Sequence, residues 1–249
     1  MSRKTSHTSL RAPFLKRVEL MMDRVPDHAI YPFSIPAISA EPFQLEFTNA
    51  VTILTGINGS GKSTIVEALA HVCGFGRYGG NQNYAVGGDD GEMLGRYLRP
   101  AWLPKVTKGF YTRAETFARF INQVDDFDAT GAYGGRSLSE RSHGEAYLEV
   151  FRNRVHGQGV FLFDEPEAAL SPSRQIEFLQ LLQTAENSGD AQFVIATHSP
   201  LLMAYPGATL LHLTDFGLVE RSFTLTEHFR VLREFYLDPE VFMEAIFTG

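Results

Sequence analysis

The segment Gly56-Ile57-Asn58-Gly59-Ser60-Gly61-Lys62-Ser63-Thr64 narrows the possible folds of this chain more than any other stretch. It fits the pattern G-x-x-x-x-G-K-[ST], and its flanks supply the context that pattern requires. The β-branched run Val51-Thr52-Ile53-Leu54-Thr55 reads as a strand, and the stretch from Ser63 towards His71 reads as a helix. Average glycine and lysine usage makes a chance match in a chain this long about a one in a hundred event. Each residue type has a physical reason. Glycines let backbone N–H groups turn inward and approach phosphate oxygens closely, and the helix that follows adds its positive N-terminal end. Gly56, Asn58, Gly59, Ser60, Gly61, Lys62, Ser63 and Thr64 are therefore the candidate nucleotide-binding residues. Lys62 would reach the β- and γ-phosphates as a point charge, and the Ser63 hydroxyl would hold Mg2+.

Val160-Phe161-Leu162-Phe163 is a continuous apolar run, as expected of a strand buried on both faces, and it ends in Asp164-Glu165-Pro166. Two carboxylates at the mouth of a core are costly unless a cation or a proton meets them. Asp164 would hold Mg2+, and Glu165 is placed to polarise an attacking water. A third apolar strand, Gln192 to Ala196, runs into Thr197-His198-Ser199. Strands of a parallel sheet end along one crevice, so His198 could face the same phosphate as Lys62 and Glu165.

Around these segments, strands alternate with helical patterns at Ala114 to Phe127, Ser142 to Val155, from Ser171-Pro172 onward, and Thr226 to Tyr236. The expected fold is α/β, a mainly parallel sheet flanked by helices. Short β-rich runs interrupted by proline (Val18 to Leu20, Tyr31 to Ile35, Phe43 to Phe47) suggest an additional N-terminal antiparallel β portion. Residues 1–15 read as a mobile arm and 16–249 as one domain, with a glycine-rich insertion over 74–109 and a helical lobe over 110–158. Within the insertion, Gly74 to Gly95 is so rich in Gly and Asn that no packed element is expected.

The net charge is −7, so the overall field repels polyanions and gives no support to a nucleic-acid partner. A lone cysteine, Cys73, excludes an internal disulfide and reads as a small buried residue. The N-terminus has charge without an apolar segment behind it, and no stretch approaches the roughly 20 apolar residues of a membrane span, so a cytoplasmic location is expected.

Taken together, these segments resemble the ABC class of P-loop ATPases, in particular soluble members related to chromosome-maintenance and break-repair ATPase heads. The resemblance runs from about Tyr31 to Leu213. It implies that Gly56 to Thr64 is the Walker A loop, Asp164-Glu165 the Walker B pair with catalytic Glu165, Ala169-Leu170-Ser171 a D-loop and His198 the switch histidine. Lys62, Glu165 and His198 would be the catalytic set, with ATP and Mg2+ as cofactors. The class carries a signature ahead of Walker B that contacts ATP held by a second copy. Ser142-His143-Gly144-Glu145 lies in that place, so Ser142 and Gly144 are candidate ligands in trans, and the partner expected is a second copy in an ATP-closed homodimer. His143 and Glu145 depart from the usual glycine and glutamine, and an acidic residue near a trans phosphate would weaken closure. The usual Q-loop glutamine is missing, and Glu115, with Arg113 nearby, is the candidate substitute and a further candidate metal ligand. Tyr31 and Phe33 are candidates to stack on adenine.

Three functions stay open on the sequence. An ATP-hydrolysing switch acting on a protein partner or nucleic acid fits the motifs. A nucleotide-gated dimerisation module with negligible hydrolysis fits the divergent signature. A GTPase or small-molecule kinase would share the loop, but Asn122-Gln123-Val124-Asp125 lacks the lysine of a guanine reader.

Overall fold

The computed structural model describes residues 9–40, 42–75, 90–126 and 137–248. The central sheet has six strands in the order β5 (Gly109–Arg113), β6 (Gly159–Asp164), β7 (Ala191–Ala196), β3 (Val51–Thr55), β8 (Thr209–Thr214) and β9 (Gly217–Glu220). All neighbours are parallel except β8 and β9. Every position of β3, β6 and β7 is buried, which explains why Val160 to Phe163 of β6 reads as a continuous apolar run and why β3 and β7 are mostly apolar.

Side chains still alternate between two cores. Phe161, Phe163, Phe193, Ile195, Val51 and Ile53 point to one, and Val160, Leu162, Val194, Ala196 and Leu54 to the other. The first is closed by helices α4 (Ala114–Asp126), α5 (His143–Arg154), α6 (Pro172–Asn187) and α7 (Pro200–Met203), through side chains such as Phe117, Phe151, Phe178 and Leu202. The second is closed by α2 (Lys62–Cys73), α3 (Asp90–Gly95) and a smaller antiparallel sheet of β2 (Gln44–Glu46), β1 (Leu15–Leu20) and β4 (Leu98–Trp102). A short helix, α1 (Pro36–Ser39), precedes β2, and α8 (Glu227–Leu237) and α9 (Pro239–Thr248) follow the sheet. No helix among the described residues is long and apolar enough to cross a membrane.

Three expectations need correction. Tyr31 to Ile35 is a turn rather than a strand. Its amides bond locally, Ser34 N–H to Ile30 O and Ile35 N–H to Pro32 O, because Pro32 and Pro36 break any ladder. In the segment expected to lack packed elements, residues 76–89 lie outside the described residues, but Asp90–Gly95 forms α3 against α2 and buries Leu94. The close seat of α3 depends on Gly91 and Gly95, where a Cβ would collide with Glu67 and His71. Of the expected arm, residues 1–8 lie outside the described residues, whereas Phe14 and Leu15 are fully buried. The Gln192 side chain, inward from β7, accepts from both their amides at 2.8 and 2.9 Å and donates to Leu15 O at 2.9 Å.

Cys73 ends α2 inside the core, and burial pushes its thiol up to about 12. Only the thiolate reacts, so a thiol–disulfide exchange reagent at pH 8 should leave the native chain unmodified and label one thiol on unfolding. Rapid labelling of the native chain would show that this core opens locally.

Candidate functional site

The C-terminal ends of β3, β6 and β7 bring the three sequence segments together. After β3 the chain turns through the glycine loop into α2. Gly59 and Gly61 take left-handed conformations, φ +77° and +97°, and a Cβ on Gly61 would lie 2.8 Å from Ile35. Glycine is needed there both for the dihedral and for the close approach. Gly61 caps α2 without a side-chain bond, leaving the first-turn N–H groups free for an anion.

Lys62 is 4% exposed and donates to the carbonyls of Gly56 at 3.1 Å and Ile57 at 3.0 Å. Burial lowers its pKa, opposed by the charges of Glu165, Asp164 and Glu167. The ammonium is thus held over the loop by weak, exchangeable acceptors beside three carboxylates.

Asp164, at the end of β6, is 1% exposed. Its Oδ1 accepts from the Ser63 hydroxyl at 3.1 Å, and its Oδ2 has no hydrogen-bond partner. Desolvation pushes its pKa up to about 7, against the opposing pull of Arg113 and Ser63. A buried carboxylate with one orphaned oxygen next to a hydroxyl fits a hard divalent cation such as Mg2+, which would hold to Ser63 and Asp164. No group of three or more His, Cys, Asp or Glu side chains able to hold a metal occurs among the described residues, so such an ion needs further ligands from phosphate and water.

Glu165 follows with φ +50°, the one non-glycine residue with positive φ among the described residues. Left-handed backbone at such a side chain costs free energy and concentrates at functional sites. Its carboxylate is 39% exposed and stands 3.9 Å from His198 Nε2. That Nε2 is buried and unpartnered. Burial and Lys62 lower the His198 pKa, outweighing Glu165, so the ring is neutral at neutral pH and free to share a hydrogen bond. Glu167 holds this histidine in place by accepting from the His198 amide at 2.5 Å.

The signature candidates lie at the start of α5. Ser142 is its N-cap in a reciprocal capping box: its hydroxyl accepts from Glu145 N–H at 3.4 Å, and Glu145 Oε2 accepts from Ser142 N–H at 3.2 Å. Glu145 also pairs with Arg174 of α6 at 2.9 Å. The acidic residue in the signature therefore has local structural work, and its charge faces a guanidinium. Gly144 packs where an added Cβ would meet Ala169 O at 3.2 Å, in the segment read as a D-loop. His143 sits edge-on to Phe117 of α4, ring centroids 6.4 Å apart.

Glu115 is a correction. Its side chain is 67% exposed, and Arg113 Nη2 takes its carboxylate at 2.9 Å. The residue beside Asp164 is Arg113, in register with it across β5 and β6, with Nε 3.5 Å from Oδ2. Of the two aromatic candidates for adenine, Phe33 is core, edge-on to Tyr97. Tyr31 is half exposed, its hydroxyl 2.7 Å from Thr64 Oγ1 at the loop. Sequence reading missed Glu67 and Glu167. Glu67 was accessible from spacing alone, since it lies four residues after Ser63 and so on the same helix face.

With this geometry in hand, known proteins give context. Residues 145–204 match the family described as "AAA domain, putative AbiEii toxin, Type IV TA system". That stretch runs from α5 through Asp164, Glu165 and His198 to α7 and leaves out the phosphate loop. Among curated proteins none matches the chain. Among solved structures, CbiO1 from Clostridium perfringens, part of the ABC transporter complex CbiONQ, aligns with a TM-score of 0.51 at 16% identity, covering 94% of this chain and 99% of that one. An SMC head bound to the C-terminal winged-helix domain of ScpA aligns with a TM-score of 0.51 at 14% identity, covering 84% and 98%. At these identities the likeness is one of fold.

Proposed function

We propose that this chain, whose fold is similar to that of ABC-type ATPases, is a cytoplasmic P-loop ATPase that binds MgATP, hydrolyses it, and closes head to tail on a second copy. One observation carries the reading. Two buried polar atoms without partners, Asp164 Oδ2 and His198 Nε2, converge with Lys62 and Glu165 at the mouth of the glycine loop. Buried polar groups are seldom left unpaired, and a triphosphate with its cation would satisfy both.

The residues divide the chemistry among them. The loop amides and Lys62 bind the β- and γ-phosphates, Lys62 exchanging two neutral carbonyl acceptors for charged oxygens. Ser63 and Asp164 would hold a magnesium ion, which would supply positive charge to the phosphates. Glu165 orients a water and accepts its proton, while neutral His198 donates a ring N–H to an oxygen of the transferred phosphoryl group. Ser142 and the Gly144 N–H would meet the γ-phosphate held by a partner copy. The hydroxyl accepts in its cap and keeps its proton free to donate. The output would be an ATP-timed association acting on a protein partner. The net charge gives nucleic acid no help.

Phosphate release from MgATP by the purified chain, with GTP in competition, tests this. The expected result is ATP-dependent release at about 0.01 to 10 per second that excess GTP barely inhibits. Tight ATP binding without release would favour a nucleotide-gated binding module, and strong competition by GTP would overturn the base assignment.

A further inference from the structure

Arg113 is bound on three sides by carboxylates that belong to different elements. Its Nη1 meets Glu67 of α2 at 2.7 Å, its Nη2 meets Glu115 of α4 at 2.9 Å, and its Nε lies 3.5 Å from Asp164 Oδ2 of β6. The first two contacts are hydrogen-bond length. The third, to the most buried carboxylate, is long, and Asp164 Oδ2 makes no hydrogen bond at all. A fixed positive charge thus stands beside the one buried oxygen that the cation-site reading leaves open, but it does not satisfy that oxygen. A divalent ion at Ser63 and Asp164 would sit close to this guanidinium, and like charges in a poorly solvated pocket repel strongly.

We propose that Arg113 is a tethered counter-cation for Asp164, one that a divalent ion must displace. This deepens the ATPase reading and rests on its assignment of Ser63 and Asp164 as the cation site. Arg113 neutralises the buried carboxylate while the ion is away. It gives that carboxylate up on ion binding and retains Glu67 and Glu115 as acceptors. Glu67 lies one helical turn beyond Ser63, so the helix that offers the ion a hydroxyl also takes up the displaced charge. Glu115 opens α4, whose Phe117 packs at a tilt against Tyr147 of α5, the helix that carries the signature candidates, with ring centroids 4.8 Å apart. Arrival of the ion would thereby change what holds the first turn of that lobe. The competition keeps cation affinity low until nucleotide phosphates add their own ligands.

The test is Mn2+ titrated, with free ion counted by electron paramagnetic resonance, into the full chain carrying one equivalent of ADP. Arg113→Gln should bind Mn2+ about tenfold more tightly than the parent, and Arg113→Lys, which keeps the charge, should stay within about threefold of it. A residue that merely supports the fold would not tighten the site when removed. Should the glutamine variant not fold, the exposed Glu115→Gln reads the same balance from the other side. With one receiving carboxylate gone, Mn2+ should bind about threefold more weakly in the parent background. Unchanged or weaker Mn2+ binding by Arg113→Gln, or tightening by Arg113→Lys as large as that by glutamine, overturns the proposal while leaving the ATPase reading intact. Failure of that reading looks different: Asp164→Asn would then bind Mn2+ as well as the parent does.

Discussion

Glu165→Gln should lower phosphate release from MgATP by about 10²- to 10⁴-fold, with ATP affinity kept within about threefold. Glutamine preserves the size and hydrogen-bonding reach of the side chain but cannot take a proton from water. The position is what makes the effect specific. Glu165 follows Asp164, takes an unfavourable left-handed backbone, and keeps its carboxylate partly open to solvent, 3.9 Å from the unpartnered nitrogen of His198. Asp164 is closed to water by comparison and bonded to Ser63. Of the two adjacent acids, then, only Glu165 has access to a water molecule. A substituted chain that hydrolyses ATP at the parental rate would remove Glu165 from the mechanism, since no assay detail could hide so large a loss.

Lys62→Ala should weaken ATP binding by about a hundredfold or more, which corresponds to losing one or two charge-assisted hydrogen bonds of about 1.5 to 3 kcal/mol each. The ammonium bridges two loop carbonyls, and its charge opposes those of Glu165, Asp164 and Glu167. Its removal leaves those carboxylates facing the phosphates with no cation from the loop. The fold should tolerate the change better than the ligand does, because the two carbonyls border a site that water can enter. Calorimetric titration with ATP under magnesium reads the affinity, and thermal melting without nucleotide reads the fold. Equal ATP affinity in the variant would mean that the phosphates do not lie over this loop.

The parts of this site that were legible in the sequence are those whose chemistry is local. The glycine loop needs residues that tolerate positive φ and close backbone approach, so Gly59 and Gly61 announce themselves. The strand ending in Asp164 combines an apolar run with two acids, a pair that points to a cation site once it stands beside the glycine loop. The start of α5 was visible as a helical pattern opening at Ser142, and the structure makes Ser142 the N-cap of a capping box with Glu145. That same box gives Glu145 a reason to be acidic which no reading of the signature alone suggested.

What stayed hidden depends on contacts between distant segments. Whether Glu115 or Arg113 faces Asp164 turns on where β5 stops and how it aligns with β6: Arg113 is the last residue of β5 and pairs with Asp164, whereas Glu115 already belongs to α4. Gln192 read as one polar residue in an apolar strand, yet it clamps the backbone of residues 14 and 15, about 180 positions away in sequence. The helix Asp90–Gly95 was masked by its own glycines. They read as breakers, although both Gly91 and Gly95 let it lie close on α2. Tyr31 to Ile35 carried the aromatic and apolar composition of a strand, and Pro32 within it and Pro36 after it decided against it.

The most direct test of an ATP-closed pair of chains is the molar mass of Glu165→Gln by light scattering on a sizing column, with and without MgATP. Blocking hydrolysis should hold the nucleotide in place, so the mass should double from 27.8 kDa only when MgATP is present, and adding Ser142→Ala should return it to the single-chain value. A single-chain mass at saturating MgATP, with ATP shown to be bound, would contradict the account and remove Ser142 and Gly144 from any contact with a second copy's nucleotide.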